Sequence, residues 1–166
     1  VILGSLGSDT IFGGLGSDQM DGGIGYDVLR LDTATGAVVV NLVTQTATGE
    51  GSDTVQNFEV VYTGSGSDTL TGYVGGNAFF GAGGGDYMYG AADSDWLQGD
   101  GGNDSLFGGT GNDNLVGGAD TDNFLYRTYE RWNNDTIWDF QDGIDKLNFV
   151  GTGLSMASFT ISASGV

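Results

Sequence analysis

A nine-residue period governs this chain. Three units run in phase from Gly4 (GSLGSDTIF, GGLGSDQMD, GGIGYDVLR), and seven more from Thr63 (TGSGSDTLT, GYVGGNAFF, GAGGGDYMY, GAADSDWLQ, GDGGNDSLF, GGTGNDNLV, GGADTDNFL). The sixth position reads Asp9, Asp18, Asp27, Asp68, Asn77, Asp86, Asp95, Asp104, Asp113 and Asp122. The eighth is always large and apolar: Ile11, Met20, Leu29, Leu70, Phe79, Met88, Leu97, Leu106, Leu115 and Phe124. Gly dominates positions one, two and four. Self-similarity at a short fixed period is the mark of a repeat architecture.

Each unit reads as a six-residue turn followed by a three-residue strand, whose middle side chain alone faces inward. Two units then make one flattened coil of eighteen residues, and stacked coils pair as parallel strands about 4.8 Å apart. The fold expected is an all-β parallel β-roll. The 33 glycines do not signal disorder, because 39% of residues are hydrophobic and 11% aromatic. Collagen is excluded by the absence of Pro and of a three-residue repeat. The glycines read as positional, marking turns of positive φ. Two facing ladders of single apolar side chains form a thin core, too thin to offset the ordering of so many glycines. Something else must hold the turns.

Residues eighteen apart lie above one another on one edge of such a roll. One edge stacks Asp68, Asp86, Asp104 and Asp122, and the other stacks Asn77, Asp95 and Asp113. In the first block Asp9 lies below Asp27, with Asp18 on the opposite edge. The chain already carries 22 acidic against 4 basic residues, a net charge of −18. Stacked carboxylates repel unless a cation lies between them. A hard cation with six to eight oxygen ligands suits acidic turns rich in backbone carbonyls, which describes Ca²⁺ better than Mg²⁺. With no His or Cys, imidazole- and thiolate-seeking metals have no ligands here. Cations between the turns would offset this charge, so the expected behaviour is a chain disordered without Ca²⁺ and folded with it.

The repeat resembles the RTX (repeats-in-toxin, hemolysin-type calcium-binding) motif GGxGxDxUx, which is itself a known calcium-binding pattern. The tail DNFLYRTYERWNNDTIWDFQDGIDKLNF resembles the segment that closes the roll in serralysin-type proteases and in the R-modules of mannuronan epimerases. The middle segment GAVVVNLVTQTATGEGSDTVQNFE is similar to an interruption common in RTX rolls. The resemblance implies a right-handed roll, with Ca²⁺ in the turns and a C-terminal β cap. It also implies a ligand set: carbonyls of positions two and four with the Asp of one turn, and carbonyls of positions one and three with the Asp eighteen residues on. On the first edge this gives Gly64, Gly66 and Asp68 with Gly81, Gly83 and Asp86. Ala82, Gly84 and Asp86 then face Gly99, Gly101 and Asp104, and Asp100, Gly102 and Asp104 face Gly117, Ala119 and Asp122. On the other edge Tyr73, Gly75 and Asn77 face Gly90, Ala92 and Asp95, while Ala91, Asp93 and Asp95 face Gly108, Thr110 and Asp113. In the first block Ser5, Gly7 and Asp9 face Gly22, Ile24 and Asp27. The resemblance thus implies about six Ca²⁺, which would contribute about +12 against the net charge of −18.

Some positions depart from the motif. Asn77 brings a neutral oxygen where the motif has a carboxylate, which predicts a weaker site, and Tyr73 is bulky for position two. Asp93 and Asp120 stand where position four has Gly, and Asp tolerates positive φ better than most residues. Asp53 is out of phase. It and the tail residues Asp135, Asp139, Asp142 and Asp145 are left open between ligands and turn carboxylates.

The organisation expected is a first repeat block at 1–30, longer irregular coils continuing the roll at 31–62, the main roll at 63–125 and a capping segment at 126–166. Two rolls joined by a β linker are the alternative. Large apolar side chains at outward positions (Tyr87, Tyr89, Phe107 and Leu125 on one face; Phe80, Trp96 and Val116 on the other) call either for a segment folded over them or for a partner surface.

Catalysis is not expected here. There is no His-based triad and no HExxH, and the stacked Asp are engaged as ligands. Nucleic acid is excluded as a partner, since only Arg30, Arg127, Arg131 and Lys146 could neutralise phosphates. No stretch is long and apolar enough for a transmembrane helix, and nothing at Val1–Thr10 resembles a signal peptide. Starting at Val1 without Met and ending in an alternating stretch, the chain reads as an excised fragment. The resemblance implies a secreted, extracellular module of a type I secretion substrate, folding on Ca²⁺ and supporting an upstream domain of the same polypeptide. The alternatives are an alginate-like polysaccharide-binding module, and a Ca²⁺-stiffened repeat of an adhesin or surface layer that self-associates.

Overall fold

Every repeat contributes a strand at its last three positions, and the computed structural model, which describes residues 1–127 and 134–151, places these strands in two stacks. The first block yields β1 (Ile2–Leu3), β2 (Thr10–Phe12), β3 (Gln19–Asp21) and β4 (Val28–Arg30). The interruption yields β5 (Val39–Asn41), β6 (Thr46–Thr48), β7 (Ser52–Gln56) and β8 (Val60–Tyr62). The second block yields β9 (Thr69–Thr71), β10 (Ala78–Phe80), β11 (Tyr87–Ala92), β12 (Trp96–Gly101), β13 (Ser105–Thr110), β14 (Asn114–Ala119) and β15 (Asn123–Arg127). The tail adds β16 (Thr136–Ile137) and β17 (Lys146–Val150). There is no helix among the described residues.

The strands alternate between a ten-stranded sheet, β1-β3-β7-β6-β5-β9-β11-β13-β15-β17, and a seven-stranded sheet, β16-β14-β12-β10-β8-β4-β2. Within the repeats the register is eighteen residues. Leu70, Met88, Leu106 and Phe124 lie opposite one another in one sheet, and Phe79, Leu97 and Leu115 in the other. This is the parallel β-roll that the period implies. Every eighth-position side chain is buried, none more than 4% exposed.

The strands β11 to β14 are six residues long rather than three. Because the register stays at eighteen, the turns stack as well as the strands, and pairing carries on past position nine. Ala91 lies opposite Gly109, and Asp100 opposite Gly118.

The interruption is woven into both sheets. In the smaller one, β4 pairs directly with β8, with Leu29 opposite Val61. In the larger one, β7 runs parallel to β3, β6 reverses between β7 and β5, and β5 runs parallel to β9. Val38, Val40, Leu42, Ala47, Val55 and Phe58 carry the core through this region. The tail closes each sheet with one more parallel strand, Ile137 opposite Leu115 and Leu147 opposite Phe124, and Phe140 packs against Phe124. Of the capping segment at 126–166, residues 128–133 and 152–166, including Tyr129, Arg131 and Trp132, lie outside the described residues.

The outward aromatics form ladders along the sheets. Tyr62 stacks on Phe80 with centroids 4.4 Å apart, and the Arg30 guanidinium covers the other side of Tyr62 at 4.7 Å. Tyr89 stacks on Phe107 at 4.8 Å, and Arg127 lies over Phe107 at 4.5 Å. Identical register places like positions one above the other, so these rings meet face to face.

Candidate metal centre

The sixth-position residues stand in two columns, each tied by a repeated hydrogen bond. The backbone N–H of one Asp donates to Oδ1 of the Asp one coil further on. Asp68 donates to Asp86 at 2.7 Å, Asp86 to Asp104 at 2.8 Å and Asp104 to Asp122 at 2.9 Å. On the opposite edge Asn77 donates to Asp95 at 2.7 Å and Asp95 to Asp113 at 2.9 Å. In the first block Asp9 donates to Asp27 at 2.8 Å.

The second carboxylate oxygen has no partner. Oδ2 of Asp9, Asp27, Asp68, Asp86, Asp95, Asp104, Asp113 and Asp122 is buried without a hydrogen bond. A native fold rarely leaves a buried charged acceptor unsatisfied even once. A ladder that does so at eight equivalent atoms is built around something that binds oxygen. Burial pushes the Asp95 carboxyl up to about 8, with the charges of Asp113 and Asp93 adding to it. Burial likewise raises Asp86 and Asp104 to about 7, each opposed by carboxylates on the neighbouring coils. Asp68, Asp113 and Asp122 are raised for the same first reason.

The first-position glycines show where these oxygens point. A Cβ at Gly81 would lie 2.0 Å from Asp86 Oδ2; at Gly90, Gly99, Gly108 and Gly117 it would lie 2.0–2.3 Å from Oδ2 of the Asp five residues on. None of these five glycines has a positive φ. The expectation that glycine here marks left-handed backbone is therefore corrected for position one: the carboxylate folds back over the Cα, and any side chain would occupy its place. A carbonyl of the next coil converges on the same point. The Cβ position of Gly99 is 2.0 Å from Asp104 Oδ2 and 2.8 Å from Gly117 O, and that of Gly4 is 2.6 Å from Asp9 Oδ2 and 2.3 Å from Gly22 O.

Positive φ does hold at positions two and four in most turns. Asp93 and Asp120 adopt φ of 72° and 78°, as do Gly7, Gly84 and Gly102 at 105–119°. This geometry aims carbonyls at the next coil. Gly84 O approaches the Cβ position of Gly102 to 2.0 Å, and Asp93 O that of Gly111 to 1.9 Å. Position-three carbonyls are shared with backbone pairing: Gly84 N donates to Gly101 O, and Gly101 lies opposite Gly83 in an isolated bridge. The turn of Gly64 and Gly66 rests on Ala34–Gly36 and has no acid beneath it, since Val38 N is the donor to Asp68 Oδ1.

Carboxylate oxygens thus alternate with backbone carbonyls between coils, an all-oxygen donor set that fits Ca²⁺. Among the described residues no three acidic side chains gather into one cluster, so carbonyls would have to complete each ligand shell.

The Asn77 turn differs. Its Oδ1 accepts from Tyr73 N at 2.9 Å, and its Nδ2 donates to Gly75 O at 2.9 Å. The amide therefore occupies a carbonyl that the resemblance offers to a cation, and Asn77 leaves no orphaned oxygen. Tyr73 avoids a positive φ, which accommodates its side chain.

Four acids extend the columns beyond the repeats. Asp53 Oδ1 accepts from Asp18 N, Glu59 Oε2 from Asp27 N, Asp135 Oδ1 from Asp113 N and Asp145 Oδ1 from Asp122 N, at 2.8–3.0 Å. Glu59 lies nine residues before Asp68, in phase with the second block, with Val61 nine before Leu70. What identifies all four is the triplet acid, any residue, apolar residue at the start of a strand. Asp145 ends its column, because its Oδ2 is satisfied by Gln141 N at 2.8 Å. Asp139 caps the neighbouring turn, accepting from Gly117 N and Gly118 N.

A family model described as the RTX calcium-binding nonapeptide repeat (4 copies) matches residues 1–29, 57–88 and 89–124, more than half of the chain. No curated protein matches it.

Proposed function

The chain belongs to the RTX calcium-binding nonapeptide-repeat family, and from that premise we propose that this Ca²⁺-binding repeat module folds when it meets Ca²⁺ outside the cell. The observation that carries the reading is the set of eight buried carboxylate oxygens without partners. Ca²⁺ supplies the positive charge that lets these groups remain ionised at close quarters. The residues of the chain do the rest. Backbone amides of the neighbouring coil fix most of the carboxylates by Oδ1, first-position Gly leaves room for Oδ2 in most turns, and left-handed turn residues aim carbonyls at the neighbouring coil.

Without the cation, the unfolded chain keeps its charge of −18 in water, whereas folding must bury eight uncompensated oxygens. Self-repulsion and desolvation both favour the open state. A chain of this kind stays unfolded where Ca²⁺ is scarce and folds where it is abundant, which suits export as an unfolded polypeptide by type I secretion. An extracellular location follows from that reading, as does support for the folding of a domain attached upstream. Any catalysis would belong to such a domain. No helix of the described residues is long and apolar enough to cross a membrane.

Far-ultraviolet circular dichroism tests the coupling. With chelator the chain should lack β structure, and saturating Ca²⁺ should restore it. A β spectrum unchanged by chelator would reject the proposal.

A further inference from the structure

We infer that the outer face of the seven-stranded sheet carries a binding site for a neutral hexose polymer, built from the indoles of Trp96 and Trp138 and the amides of Gln98 and Asn114. The inference goes beyond the proposed function, because it concerns a flat side of the folded roll and not the turns at its edges. Positions seven and nine of each repeat stand on the outer side of this sheet. Their two rows run from Thr10 and Phe12 on β2 to Asn114 and Val116 on β14, and Thr136 and Trp138 extend them. The chain has 22 acidic residues, yet none stands at these positions. Arg30 is the one charge in the two rows, and Asp32 neutralises it as an ion pair.

The aromatics of this face are of two kinds. Tyr62 is covered on one side by Phe80 and on the other by the Arg30 guanidinium. Its ring faces are used within the sheet, and only edges are left for water. Trp138 is held differently. It meets Trp96 at an interplanar angle of 34°, with centroids 6.4 Å apart, and is 56% exposed. A tilted, open indole leaves ring surface for a ligand.

Both indoles are fixed by their own N–H groups. Trp138 Nε1 donates to Asn114 Oδ1 at 3.0 Å, and Trp96 Nε1 to Gln98 Oε1 at 3.4 Å. Gln98 Nε2 in turn donates to Asp100 Oδ1 at 2.7 Å. Side chains ordered before binding lose little entropy when a ligand arrives. Asn114 Nδ2 is left without a partner among the described residues.

This combination selects the ligand. A pyranose ring packs its C–H face on an indole, and its hydroxyls both donate to and accept from amides. An apolar protein surface would instead bury these amides unpaired. A polyanion would be repelled by the net charge of −18. An uncharged sugar chain meets both conditions.

Calorimetric titration of the Ca²⁺-loaded chain with cellohexaose, laminarihexaose and maltohexaose tests the site. At least one of these neutral hexamers should bind saturably, and a mannuronate hexamer should bind more weakly. Trp138→Ala should weaken binding by about tenfold or more, with the β circular dichroism in Ca²⁺ unchanged because the side chain is exposed. Asn114→Ala, which keeps the indole but removes its anchor, should weaken binding in the same direction. No saturable binding of any neutral hexamer would overturn the inference. So would tighter binding of the mannuronate, or wild-type affinity in both variants.

Discussion

The backbone amide of Asp86 donates to Oδ1 of Asp104, one full coil further along, at 2.8 Å. That bond leaves Asp104 Oδ2 turned back over Gly99 with no donor to meet it. Half of each carboxylate therefore holds the roll together, and the other half works against it until a cation arrives.

The acid–base consequence has a definite sign. Carboxyls in the folded, Ca²⁺-free roll sit at about 7 for Asp86 and Asp104 and about 8 for Asp95, against about 3.9 in an unfolded chain. Between those values the folded state binds more protons than the unfolded state. Stability without Ca²⁺ is then fully present below about pH 4 and is lost as pH rises through about 7 to 8. Circular dichroism in chelator should show β structure gained on acidification, with protons taken up as the chain folds. A Ca²⁺-free chain equally unfolded from pH 4 to pH 9 would contradict this.

Asp104→Asn separates the two halves of the carboxylate. The amide oxygen still accepts from Asp86 N, but the buried charge is gone. The substitution should stabilise the chelated protein and weaken the Ca²⁺-loaded one by about 1–3 kcal/mol. The thermal melt in Ca²⁺ should therefore fall, whereas in chelator the β structure gained on acidification should appear at a higher pH than in wild type. A lower melt in Ca²⁺ with no such rise in chelator would mark Asp104 as an ordinary turn cap.

The strict period made the core and the Asp columns legible, because a side chain eighteen residues from another cannot avoid lying above it. Asp53, Asp135 and Asp145 were harder to place, since they sit 35, 22 and 23 residues from the residues they stack on, whereas Glu59 keeps the nine-residue phase with Asp68 and differs only in residue type and in its Gly-free turn. Insertions shift the count but not the local triplet, and Asp135-Thr136-Ile137 shows the same acid-to-apolar step as Asp104-Ser105-Leu106. The reversal of β6 was hidden for another reason. Alternating side chains look the same in parallel and antiparallel strands. Composition likewise could not tell a glycine needed for its φ from one needed for the space beside it.

That distinction is testable at Gly99. Its backbone has an ordinary φ, so alanine is conformationally acceptable, yet the new methyl would lie 2.0 Å from Asp104 Oδ2 and 2.8 Å from Gly117 O. Gly99→Ala should cost about 1–3 kcal/mol in overpacking and remove one ion in calorimetric titration, with the fold of the other coils retained. Full stoichiometry in this variant would show that the carboxylate has another place to go.

Asn77→Asp should act in the opposite direction. In the native turn the Asn77 amide donates to Gly75 O, and its oxygen accepts from Tyr73 N, so the turn closes with protein atoms alone. An aspartate cannot donate, which frees the Gly75 carbonyl and adds a charge at the place where neighbouring coils carry one. The variant should bind one more Ca²⁺ than wild type and depend more steeply on Ca²⁺ for folding, while becoming less stable in chelator. The measurement is the number of ions per chain at saturation. If wild type and variant take up the same number, the Asn77 turn already holds an ion, and the hydrogen bonds that close it must open to admit one.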